Sequence, residues 1–128
     1  STNEKINRTT ILNNNVSGYN FALQFDHKEL NIGKMIMGTI MVTDHNGKPV
    51  TTLEPLMGSF AHIVGFYDDG KTMIHIHPLG TEPIHTSDHS GPILTFHMVP
   101  SKAGFIKLFV QIKINGKEIY VPFGFTIK

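Results

Sequence analysis

Two stretches near the C-terminus mirror each other around Asn115-Gly116. Asn-Gly tolerates the positive φ that a two-residue hairpin turn demands. Such a turn sets Ile114 against Lys117 and Lys113 against Glu118. Continuing outward, it pairs Ile112 with Ile119, Val110 with Val121, Leu108 with Phe123 and Ile106 with Phe125. Every one of those later pairs is apolar and on one face, so a one-residue slip would turn a strand inside out. The opposed charges of Lys113 and Glu118 add about 0.2–1 kcal/mol. A hairpin with one continuous apolar face needs a second layer to cover it, which points to a β-sandwich.

The rest of the chain supplies that layer. Phe21, Leu23 and Phe25 share one parity, a strand pattern, and 35–43 forms another. His45-Asn46-Gly47-Lys48 supplies a turn. A third strand runs over 59–67, turns at Asp69-Gly70, and returns over 71–77. Residues 78–92 read as a long loop rich in His, Gly, Pro, Ser and Thr, and 92–99 as a strand with Leu94, Phe96 and Met98 on one face. Residues 1–17 are polar, with Asn13-Asn14-Asn15 at their centre, and read as a flexible leader or tether. The expectation is therefore one domain over 18–128: an all-β, antiparallel sandwich of about seven strands, immunoglobulin-like or cupredoxin-like.

Composition narrows the function. At 128 residues, with 40% hydrophobic and 16% charged, the chain can bury a core as a single domain. A net charge of +1 and scattered lysines give no electrostatic case for nucleic acid or an anionic membrane. No apolar run is long enough to insert as a transmembrane helix. The absence of cysteine removes disulfides, thiolate metal sites and cysteine nucleophiles together.

Histidine is the exception to this plainness. Of eight histidines, His62, His75, His77, His85, His89 and His97 fall within one third of the chain. His75 and His77, two apart, project from the same face of a strand, with Ile74 and Ile76 pointing to the core. If Asp69-Gly70 is a two-residue turn, Val64 lies opposite His75 and His62 opposite His77, and three imidazoles share one face. If the loop is Asp68-Asp69-Gly70, the register shifts by one and His62 joins Ile74 and Ile76 instead. Three neutral imidazoles suit zinc, copper(II) or nickel(II), and a thioether from Met57 tilts the choice toward copper(I). His85 and His89, on the following loop, are candidates to close over the site. The plain alternative is that a His-x-His pair is simply the polar side of a strand. Met35, Met37 and Met41 share a face and read as core filler, and Phe105 and Phe109 as packing under a neighbouring loop or sheet.

Catalytic signals are thin. Ser87-Asp88-His89 are sequence neighbours, whereas a triad is a spatial arrangement. A hydrolytic zinc would need a general base that no residue here supplies. The expectation is a protein that is not an enzyme.

Two segments carry a resemblance. Asp44-His45-Asn46-Gly47-Lys48-Pro49-Val50, followed by Leu56-Met57-Gly58-Ser59-Phe60-Ala61-His62, resembles bacterial extracytoplasmic immunoglobulin-like domains of the YtkA-like kind. The late Gly104-Phe105-Ile106-Lys107-Leu108-Phe109 strand fits the same pattern, and the likeness spans residues 19 to 127 diffusely. It implies an exported location, periplasmic, secreted or membrane-tethered, and a copper-handling context. Copper is thus the expected metal, with zinc second. Two departures limit it: the blue-copper cysteine is missing, and Ser1 does not supply the N-terminal histidine of the CopC-like arrangement. The expected function is sequestration or delivery of an ion through His62, His75, His77, Met57, His85 and His89. The alternative is a metal-free interaction module that binds another envelope protein.

Overall fold

The computed structural model describes residues 8–128, which form two antiparallel sheets packed face to face as a β-sandwich. The first sheet contains β1 (Asn13–Val16), β2 (Tyr19–Phe25), β3 (Ile36–Thr43), β6 (Ile76–Leu79) and β7 (Ile93–Met98), in the order β1-β2-β3-β7-β6. The second contains β4 (His62–Tyr67), β5 (Met73–Ile74), β8 (Gly104–Ile114) and β9 (Lys117–Ile127), in the order β5-β4-β8-β9. The expected β8–β9 hairpin is present in the expected register, from Ile114–Lys117 through Ile106–Phe125. Asn115 and Gly116 both take positive φ, 50° and 74°. Glu118 accepts a hydrogen bond from Gln111 Nε2 at 2.8 Å.

Alternation builds the core between the sheets. Ile36, Ile40 and Val42 of β3, with Leu94, Phe96 and Met98 of β7, face Ile106, Leu108, Val110 and Ile112 of β8. Gly38 is needed here, because a Cβ at that position would run into the Phe96 ring across the strand pair. Phe25 packs edge-on against Phe96 of its own sheet, centroids 6.5 Å apart, and against Phe125 of the other at 4.9 Å. The aromatic trio therefore ties the two layers together.

The leader expectation over 1–17 is corrected where the structure describes it. Ile11 exchanges backbone hydrogen bonds with Gly124, and Asn13–Val16 is the edge strand β1, paired with β2. Asn14 Nδ2 also donates to the Pro122 carbonyl of the opposite sheet at 2.8 Å. A polar edge strand bonds through its backbone, so its asparagines look like leader in the sequence. Residues 1–7 lie outside the described part.

The connection after β4 positions the histidines. Tyr67 N–H donates to the Thr72 carbonyl at 2.8 Å, so the loop has four residues, Asp68 to Lys71. It remains centred on Asp69-Gly70, and Gly65 pairs with Ile74 and Phe66 with Met73, the register of the two-residue alternative. Asp69 holds the loop shut. Its carboxylate accepts the Lys71 and Thr72 N–H groups, each at 2.8 Å, and also Thr72 Oγ1 and Lys102 Nζ. These donors hold the Asp69 carboxyl well below the usual carboxylate range, the Thr72 hydroxyl contributing most.

The returning strand then changes sheets. Pairing with β4 ends at Ile74, and Ile76 pairs with Met98 on β7 of the other sheet. Gly65 marks the crossing. A Cβ there would lie 2.5 Å from Ile74 Cγ2 and 3.1 Å from Ile76 Cδ1, so both isoleucines fold over a position with no side chain.

Candidate functional site

On β7, Leu94, Phe96 and Met98 are buried, so His97 points outward. On β6 its direct cross-strand partner is His77. The two rings lie edge to face, centroids 5.0 Å apart and planes at 74°. His75, at the sheet crossing, brings its ring to 4.1 Å from that of His77 at 84°. The outcome is a chain of three imidazoles on the outer surface of the first sheet, His75–His77–His97. His77 is held below its ordinary pKa, first by desolvation and then by the positive charge that His75 and His97 carry when protonated. It therefore stays neutral, and able to donate a lone pair to a metal, at lower pH than a free histidine.

His62 does not join this group. The register that would set it against His77 is present, but the strand has left β4 before reaching His77. His62 stays in the second sheet and its Nε2 lies 2.6 Å from the Leu56 carbonyl. A carbonyl only accepts, so Nε2 carries the proton and is committed there. The expected convergence of His62 with His75 and His77 is thus replaced by that of His97. His97 belongs to the histidine cluster of the sequence but not to the expected ligand set. Its parity against Leu94, Phe96 and Met98 was the available signal, while the identity of its neighbouring strand was not.

The other candidates are dispersed. Met57 sits at the tip of a tight turn, φ 50° and 73% exposed, between Leu56 and Ser59, whose backbones bond to each other. His85 belongs to a turn in which Asp88 accepts the Ile84 and His85 N–H groups, each at 2.8 Å. Those bonds hold the Asp88 carboxyl below its ordinary value. His89 lines a cavity of about 610 Å³ between the sheet edges, alongside Ile63, Pro78, Leu79 and Leu94. None of His75, His77 and His97 lines that cavity.

The methionine reading is also corrected. Met35, just before β3, and Met37 are 58% and 40% exposed rather than core, because the odd positions of β3, Met37 among them, face outward with His97. Phe105 is buried, with its ring and the Thr9 carbonyl both lying against Gly124, as expected of packing under a neighbouring segment. Phe109 is partly exposed and meets Phe66 edge-on at 6.4 Å.

The chemistry of the three imidazoles can be weighed. Imidazole nitrogens bind zinc or copper at about 2.0–2.1 Å, which places the ring centroids of two ligands on one tetrahedral ion about 5 Å apart. The His77–His97 separation of 5.0 Å matches that value, while the His75–His77 separation of 4.1 Å is shorter. Among the described residues, no three His, Cys, Asp or Glu side chains already point at a common ion-sized space. His75 and His77 are exposed, so their rings can change rotamer without disturbing the core.

No curated protein matches the chain. Among solved structures, the chain is similar to one described as the crystal structure of the Lin-41 filamin domain, with 15% identity and a TM-score of 0.47. That alignment covers 83% of this chain and 91% of the other. A family model described as Domain of unknown function (DUF8832) matches residues 14–128, from β1 through the end of β9, and the chain belongs to that family.

Proposed function

We propose that this domain is a non-catalytic metal-binding module that holds a transition-metal ion through His75, His77 and His97. The observation that carries the reading is the direct cross-strand pairing of His77 with His97, with the His75 ring edge-on to His77 at 4.1 Å. Imidazole ligands favour copper and zinc, and the Irving–Williams order puts copper(II) ahead of zinc. The role that fits is sequestration or delivery of the ion. The resemblance to extracytoplasmic domains supports an exported setting for it.

Metal analysis tests this. Tag-free protein, exposed to copper or zinc and then desalted, is expected to retain a single ion per chain, and His75→Ala/His77→Ala to retain none. No retention by wild type, or equal retention by the variant, contradicts the reading.

A second reading rests on a different surface. Val64, Phe109 and Pro122 form one cross-strand row on the outside of the second sheet, beside exposed Tyr120 and Met73. An exposed apolar row of this kind suits docking of another protein. This reading expects a partner recovered equally with and without chelator, and lost on Phe109→Ser.

A further inference from the structure

The histidine row does not stop at β7. β3 lies on the other side of β7, and Met37 is the direct cross-strand partner of His97. The order across the outer surface of the first sheet is therefore His77, His97, Met37. All three sit on outward positions of their strands, and Met37 is 40% exposed. Directly opposed Cβ atoms are about 4.5–5.5 Å apart, within reach of a methionine side chain. Met37 is also anchored. Its N–H donates to Asp26 Oδ1 at 2.9 Å and its carbonyl accepts the Asp26 N–H at 3.1 Å. Oδ1 of the Asp26 carboxylate takes a further contact from His27 Nδ1 at 2.6 Å, so that oxygen is already engaged.

We infer that Met37 acts with His77 and His97 as a thioether ligand, making this face a site for reduced copper. The inference rests on the metal-binding reading above and adds the ion's class and a fourth residue. Copper(I) is soft, and a mixed set of imidazole and thioether suits it. Zinc binds imidazole, carboxylate and thiolate, and gains nothing from a thioether. The thioether carries no proton at any ordinary pH, so this ligand survives acidification that removes imidazoles. Its three rotatable bonds let the sulfur reach an ion held by the two rings.

The test separates the two levels. Copper(I) affinity is measured anaerobically by competition with bicinchoninate, and zinc affinity by titration, on wild type and Met37→Leu. Leucine keeps the volume and removes only the sulfur. Loss of outer-sphere partners already costs about 10–100-fold in metal affinity, so a direct ligand is expected to cost at least about tenfold. The expected result is copper(I) affinity reduced by that factor in Met37→Leu, with zinc affinity unchanged. Equal copper(I) affinity in both proteins, with zinc still bound, overturns the role of Met37 and leaves the histidine site standing. Failure of wild type to bind either ion overturns both.

Discussion

His77 and His97 face each other across the β6–β7 pair, ring centroids 5.0 Å apart, although twenty residues of sequence separate them. The pairing exists because the chain leaves the second sheet after Ile74 and joins the first at Ile76. Everything proposed for this surface depends on that crossing.

In the metal-free protein the crowding of imidazoles has its own signature. His77 is held below its ordinary value of 6.5 by desolvation and by His75 and His97. The unfolded chain therefore takes up this proton first as pH falls, and stability declines below pH 6.5 toward the lowered folded value. Above that window the contribution is complete. Ring-proton NMR titration of metal-free protein is expected to show His77 titrating below 6.5. His77 titrating above 6.5 would contradict the crowded geometry.

Gly65 should be intolerant of even one methyl group. Its added Cβ would meet Ile74 Cγ2 at 2.5 Å, where the strand is about to change sheets. Overpacking of this kind costs about 1–3 kcal/mol. Urea unfolding of Gly65→Ala is expected to show a free-energy loss of that size, as a lower midpoint with an unchanged slope. A midpoint equal to wild type would mean that the crossing does not pack on this residue.

Asp69 offers a test at acid pH. Its depressed carboxyl contributes stability that is present above the unfolded carboxylate range and lost as pH falls toward the folded value. Asp69→Ala is expected to be less stable than wild type at neutral pH, with the gap narrowing as pH drops through the carboxylate range. A gap independent of pH would assign the effect to the turn's packing rather than to its charge.

Much of this fold is legible in the sequence because hairpin arithmetic is local. Asn115-Gly116 fixes the β8–β9 register to the residue, and Asp69-Gly70 fixes that of β4 with β5, even though its loop is two residues longer than a tight turn. The site was less legible because it is made by strands far apart in sequence. The pattern around Ile74-His75-Ile76-His77 is that of one uninterrupted strand, and only the packing over Gly65 shows that it divides between sheets. Met37 shares its parity with Met35 and Met41, and parity alone does not say which face is outward. Asn13-Asn14-Asn15 reads as leader because backbone pairing leaves no apolar mark on an edge strand.

In the proposed site His97, and not His62, completes the set with His75 and His77. Zinc titration calorimetry at neutral pH on wild type, His97→Ala and His62→Ala tests it most directly. Zinc affinity is expected to fall at least about tenfold in His97→Ala, a cost of about 1.4 kcal/mol or more. His62→Ala, which loses the bond to the Leu56 carbonyl, is expected to bind as wild type while losing at least about 0.5–1.5 kcal/mol of folding stability. Weakened binding in His62→Ala with none in His97→Ala would contradict the account.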